Sequence, residues 1–381
     1  MLGAIMVAQS QGLKVEDVHV ASFAWERKRH DPRLGPRTPA DFEQLESVVA
    51  QRWRVMPTSR LREGHSFLPR VAEDTGAHVY VLDPSLGAVG LRRQLRCLSD
   101  AIDACAVIVV DVGGDVIARG DEPGLRSPTA DGAVLAALPS DLPATVAVLG
   151  AGLDGEISDG EFAQATRNAR RLGVLTCDRV TVDAAKTILP LLAWHPSEMA
   201  GLACLAALGE TGQAEVRGGT GASVRLSRRS ATIYSFEANW CRARSEIAQA
   251  LEPTRSLAEM YQAVIDITGR SELDDERRAL EGLALCRDEW LDSAALDRLE
   301  QSLLEYSEAA VRRGIVLLTM RRVSEILGLS AKPARQLLSF LERRHPSRVR
   351  PPVWRVCSAR DREPQSSSNC ALQRSLETWT P

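Results

Sequence analysis

Apolar positions along the chain fall into short blocks whose spacing alternates between strand-like and helix-like. Residues 15–24 (VEDVHVASFA) alternate and then turn continuously apolar, which predicts a strand. Residues 78–82 (HVYVL), 105–112 and 144–149 (ATVAVL) predict three more, the 105–112 run being the strongest. Helical spacing appears between them, at 3–10, at 88–104 through Leu91, Leu95, Leu98 and Ile102, and at 128–138, 158–171, 181–193 and 196–208. Short apolar strands alternating with helices predict an α/β fold, a doubly wound and mostly parallel sheet covered on both faces. EVRGGTGASVRLS (215–227) reads as a hairpin with a Gly-rich turn, and ATIYSF (231–236) as a further strand, forming a small antiparallel extension. Two amphipathic helices, 241–250 and 256–268, follow.

The pattern changes near Ser271. Residues 274–313 are charged and helical, with a leucine series from Leu280 to Leu304. In 321–343 a short apolar face (Val323, Ile326, Leu327), a turn (Gly328-Leu329-Ser330) and a second face (Ala334, Leu337, Leu338, Leu341) follow one another. A short helix, a glycine turn and a longer helix form the helix-turn-helix pattern. With HPSRVRPPVWRV as a wing carrying Trp354, the segment looks like a winged helix. The expected organisation is an α/β ligand-binding domain at 1–273, a helical region with the winged-helix-like module at 274–357, and a polar, Ser-rich disordered tail at 358–381.

Charge refines this picture. The 381-residue chain carries a net charge of −3, which argues against a generic nucleic-acid binder. Yet 321–355 holds nine basic residues against Glu325 and Glu342, a local +7, so the remainder is about −10. On a helix-turn-helix, Lys332 and Arg335 would meet base edges, and Arg343, Arg344, Arg348 and Arg350 would meet phosphate. The alternative is a protein–protein module with a solvated basic face. Eight scattered cysteines form no C-x-x-C pair and no zinc spacing, and read as reduced core residues. No metal set or cofactor is assigned. No uncharged apolar run is long enough to cross a bilayer, and the N-terminus lacks the features of a signal peptide. A cytoplasmic protein without a membrane partner is expected.

Three strand ends carry the candidate chemistry. The first is Trp25 to Pro32, with Glu26, Arg27 and Asp31. The second runs from Asp111 through Gly113, Gly114 and Asp115 to Asp121, Glu122, Arg126, Ser127 and Asp131. The third contains Asp154, Gly155 and Glu156. In an open parallel sheet such loops share the edge where ligands bind. Glycines there let backbone N–H groups approach a ligand. Carboxylates can hold a ribose diol, a water-bridged Mg²⁺ or a proton, and Arg27, Arg37 and Arg126 can clamp phosphate. Plain turn chemistry accounts for any one of these residues taken singly, but less well for three clusters together. Ser197 and Glu198 read as a helix cap and a first-turn acid, and His195 as a boundary histidine.

The strings FAWERKRHDPRLGPR, VIVVDVGGDVIARGDEPGLRSPTAD, LGAGLDGE and TGRSELDDER resemble the family known as domain of unknown function 1152, over about residues 1–277. The resemblance implies the fold and the site but no reaction. It also implies an initial strand and Gly-rich loop that are absent here, Met1-Leu2-Gly3-Ala4 matching the helix that should follow. A slot beside the 105–112 strand is therefore expected. The resulting expectation is a nucleotide- or sugar-phosphate-like small molecule bound at the sheet edge, coupled to DNA through the C-terminal module. The alternative is a metabolic enzyme whose module mediates assembly, and a second copy of the chain is a further candidate partner.

Overall fold

The computed structural model describes residues 1–49, 52–217, 223–286 and 289–357. The tail expected to be disordered, 358–381, and the Gly-rich turn at 218–222 lie outside the described residues.

The fold is mixed α/β, and its sheets are mixed as well. One four-stranded sheet has His19–Phe23 parallel to His78–Leu82, followed by antiparallel Arg52–Val55 and Glu46–Val49. A second has Val107–Val112 parallel to Ala144–Leu149, followed by antiparallel Thr232–Glu237 and Leu175–Arg179. The mostly parallel sheet expected from the sequence is thus reduced to two parallel pairs. The antiparallel extension also divides. Gly212–Glu215 and Ser223–Leu226 form the expected hairpin, whereas Thr232–Glu237 leaves it and enters the second sheet between 144–149 and 175–179. An aromatic and β-branched run suits a buried strand in either direction, and its direction is set by its neighbours.

Both faces of these sheets are covered. Alternation along the strands sends Val79, Val81, Ala147, Leu149 and Ile233 into one core with helices Leu2–Ser10, Leu68–Thr75 and Glu198–Ala207. Leu82, Val146, Val148, Tyr234 and Phe236 enter the other, with helices Gly87–Ala101, Pro128–Ala137 and Asp159–Arg171. Val107–Val112 and His19–Phe23 each end their strand order and pair on one side only among the described residues. Ile108 is consequently 41% exposed. Helix Leu2–Ser10 lies so close to Val112 that a side chain at Gly3 would collide with it.

The C-terminal part is joined to the rest by a shared sheet, in the order 223–226, 212–215, 315–319, 353–355, 349–350. Gly212–Glu215 and Ile315–Thr319 are parallel, and Trp354 is fully buried with its Nε1 donating to Ser307 Oγ at 3.0 Å. Buried Glu215 accepts from Tyr306 Oη and an Arg313 Nη2, both at 2.6 Å, and from Arg322 Nε at 3.3 Å. The boundary expected at 273/274 falls inside helix Glu272–Ala284.

Candidate functional site

The strand Val107–Val112 ends in a loop shaped by one of its own side chains. Asp111 Oδ2 accepts from Gly114 N at 2.7 Å and Val116 N at 3.3 Å. The turn passes through positive φ at Gly113 and Gly114, a conformation that glycine adopts without steric cost. A Cβ at Gly113 would also collide with the Asp154 carboxylate, and Gly152 N donates to Gly113 O at 2.7 Å. The second and third sequence clusters are therefore in direct contact at the C-terminal ends of two parallel strands.

This contact gathers carboxylates. Oxygens of Asp111, Asp115 and Asp131 all lie within 4.8 Å of one another. Burial, followed by repulsion from Asp131, holds Asp111 and Asp115 well above the usual carboxylate range. Burial likewise pushes Asp131 up to about 7, Asp154 to about 6 and Glu272 to about 7. Glu26 is raised by burial although it accepts from Phe67 N at 2.8 Å and Ser66 Oγ at 3.3 Å. Clustered carboxyls in low dielectric either retain protons or hold a cation. Oxygen ligands on opposite sides of a Ca²⁺ ion are up to about 5 Å apart and those of Mg²⁺ about 4 Å, so the three aspartates suit Ca²⁺ as they stand and Mg²⁺ after a slight contraction.

A cleft of about 600 Å³ opens beside Asp131. Its lining mixes cations (Arg27, Lys28, Arg126, Arg217, Arg270, Arg321) with acids (Glu26, Asp131, Glu156, Glu272, Asp275, Glu276, Glu325). Several of the acids are committed to building it. Glu156 accepts from Arg126 N at 2.7 Å, Ser127 N at 3.0 Å and Ser127 Oγ at 2.8 Å, and from Arg217 Nη2 at 3.4 Å. Glu272 accepts from Thr129 N at 2.8 Å. Glu276 accepts from Trp25 Nε1 at 2.7 Å and Gly35 N at 2.8 Å and pairs with Lys28 at 3.1 Å. The first turns of helix Glu272–Ala284 thus tie the Trp25 loop to the Thr129 helix.

Glu26, Arg27, Asp111, Gly113, Gly114, Asp115, Arg126, Ser127, Asp154 and Glu156 belong to this cleft or to the carboxylate group beneath it. Other residues expected at the site are used elsewhere. Asp31 and Arg37 form a buried pair, Arg37 Nε donating to Asp31 Oδ2 at 2.6 Å, and neither lines the cleft. Asp121 pairs with Arg119 at 2.6 Å, while Glu122 accepts from Arg119 N at 2.8 Å and Gly120 N at 2.9 Å, closing a turn of their own. Gly155 takes φ +75° in the loop after strand Ala144–Leu149. Glu198, read as a first-turn acid, is buried and accepts from Thr319 Oγ1 and from Arg217 N. His195 is pushed down to about 3 by burial, followed by the nearby terminal amine.

Arg217, Arg270, Glu272, Glu276 and Arg321 were not among the expected site residues. For Arg270, Glu272 and Glu276 a signal existed, since all three lie in the TGRSELDDER string that carries the family resemblance. Arg217 and Arg321 had none.

In the C-terminal part, Arg335 and Arg343 are exposed. Lys332 lies over the Trp290 ring at 4.7 Å, and Arg348 over Trp354 at 5.5 Å. Arg344 pairs with Asp297 and with Glu300 at 3.1 Å, and Arg350 with Glu210 at 3.9 Å. Among the described residues no helix is long and apolar enough to cross a membrane.

The model of the family described as a protein of unknown function, DUF1152, matches residues 1–280, and the chain belongs to that family. No curated protein and no solved structure matches it.

Proposed function

We propose that this member of the DUF1152 family binds a phosphate-bearing small molecule, nucleotide- or sugar-phosphate-like, together with a divalent cation. The observation that carries this reading is the adjacency, through Asp131, of the three-aspartate group and a cleft lined by six Arg and Lys side chains. Asp111, Asp115 and Asp131 would hold the cation, which would neutralise both the carboxylates and part of the phosphate charge. Arg27, Arg126, Arg217 and Arg270 would supply forked donors to phosphate oxygens, and Glu26 would meet a hydroxyl-rich portion. Calorimetry on the full chain, with Mg²⁺ and then a panel of inorganic pyrophosphate, nucleotides and sugar phosphates, tests this. Mg²⁺-dependent binding that is lost in Asp111→Asn and Asp131→Asn is expected. Absence of binding by every probe with Mg²⁺ present would overturn the reading.

For the C-terminal part we propose a winged-helix module. The order helix Ser293–Arg312, strand Ile315–Thr319, helices Met320–Ile326 and Ala331–Arg344, then the hairpin Val349–Arg350/Val353–Arg355 supports it. DNA binding would run through exposed Arg335 and Arg343. A second reading, a module for protein assembly, is favoured by the internal use of Lys332, Arg344 and Arg350. A gel-shift series at low salt separates the two. Retardation that weakens steeply with salt and is lost in Arg335→Glu/Arg343→Glu supports DNA, and no retardation of any duplex supports assembly.

A further inference from the structure

The cleft is not built by the α/β part alone. Arg321 and Glu325, both on helix Met320–Ile326, line it beside Arg217. The strand-end loop that contributes Arg27 and Lys28 also reaches the turn after that helix, through Arg29 Nη2 and Leu329 O at 3.5 Å. From the opposite side, Glu198 joins Arg217 N to Thr319, the residue that caps the helix. The first helix of the helix pair therefore forms part of the cleft wall.

Arg321 lines the cleft itself and has incomplete bonding. Its Nε donates to Glu325 at 3.1 Å, while its Nη1 is buried with no hydrogen-bond partner. Burial lowers its pKa, opposed by Glu325. A buried guanidinium N–H without an acceptor carries a desolvation penalty, and an anionic oxygen in the cleft is the acceptor that would relieve it.

We infer that Arg321 is a ligand-binding residue of the cleft, that its Nη1 takes an anionic oxygen of the bound molecule, and that occupancy of the cleft thereby holds the 320–344 helix pair in its docked position. This rests on the cleft binding a phosphate-bearing ligand, as proposed above. Because binding and docking are linked, the docked helix pair strengthens ligand binding by the same factor by which the ligand strengthens docking. The module would then sense the ligand without a separate effector site.

The test uses the full chain with Mg²⁺ and inorganic pyrophosphate, reading affinity by calorimetry and backbone hydrogen exchange over 320–329. In the wild type, pyrophosphate should slow exchange in that segment. Arg321→Gln should weaken pyrophosphate by roughly tenfold or more, the loss of one charge-assisted hydrogen bond, and should abolish the added protection. Arg321→Lys should recover part of the affinity. Glu325→Gln removes the competing carboxylate and leaves Arg321 in place. It should bind pyrophosphate at least as tightly as wild type, and this keeps the test open if Arg321→Gln fails to fold. Wild-type affinity in Arg321→Gln, weaker binding in Glu325→Gln, or binding without protection of 320–329 would each overturn the inference while leaving the cleft assignment standing. No pyrophosphate binding by the wild type would overturn both.

Discussion

Glu156 and Ser127, 29 residues apart in sequence, are joined twice: Glu156 Oε1 accepts from Ser127 Oγ at 2.8 Å and Oε2 from Ser127 N at 3.0 Å. The pair links the loop after strand 144–149 to the start of helix Pro128–Ala137. Glu156 is 3% exposed. Glu156→Ala should cost about 3 kcal/mol, the penalty for stranding buried donors. Glu156→Asp, too short to reach both groups, should cost less but still measurably. Urea unfolding curves decide this, and an unchanged midpoint in Glu156→Ala would show that the link carries no stability.

Asp31 and Arg37 looked like ligand residues in the sequence and form a structural pair instead. They are 1% and 4% exposed. Removing one member of a buried pair typically costs about 3–5 kcal/mol, because the other charge is left uncompensated. Arg37→Ala should therefore unfold at markedly lower denaturant, while a mild condition in which it stays folded should show wild-type pyrophosphate affinity. Weakened binding with unchanged stability would return Arg37 to the site.

The carboxylate group makes stability depend on pH in a defined direction. Asp131 and Glu272 are raised to about 7 and Asp154 to about 6, all above their ordinary values. A raised carboxyl pKa means that the fold favours the protonated form. Its contribution is complete below about pH 4 and is lost as pH rises through 6 to 7. The Tm of wild type relative to Asp131→Asn should fall between pH 5 and 8 in EDTA. Mg²⁺ should restore it, most strongly at pH 8, because cation and proton compete for the same oxygens. A difference in Tm that is flat with pH and indifferent to Mg²⁺ would refute both points.

Truncation at residue 280, the limit of the family match, should not yield a stable domain. It removes strand Ile315–Thr319 from beside Gly212–Glu215. It also removes Tyr306, Arg313 and Arg322 from buried Glu215. An unpaired strand edge carrying an uncompensated buried carboxylate favours aggregation. Size-exclusion chromatography of the truncated chain should show aggregate. A monodisperse product with a cooperative melt would show that the two parts fold independently.

Local pattern alone placed the strands around 19–23, 78–82, 107–112 and 144–149, most helices, and the two clusters whose loops meet at Gly113 and Asp154. Burial imposes a period on each of these elements, and the period is written in consecutive residues. Strand Leu175–Arg179 escaped notice because it lies at a sheet edge with four of its five residues exposed, and therefore needs no apolar run. The partners of Thr232–Glu237 were equally hidden: the sequence suggested an antiparallel strand, but its insertion between 144–149 and 175–179 depends on segments far away in the chain. The tertiary structure alone decided the site's membership. Asp31 and Asp121 were diverted into local pairs, while Glu272 and Arg321 were brought to the cleft from 116 or more residues beyond Glu156. Packing of the C-terminal strand against Gly212–Glu215 is what carries Arg321 there, and a contact between segments so far apart leaves no trace in either one's own pattern.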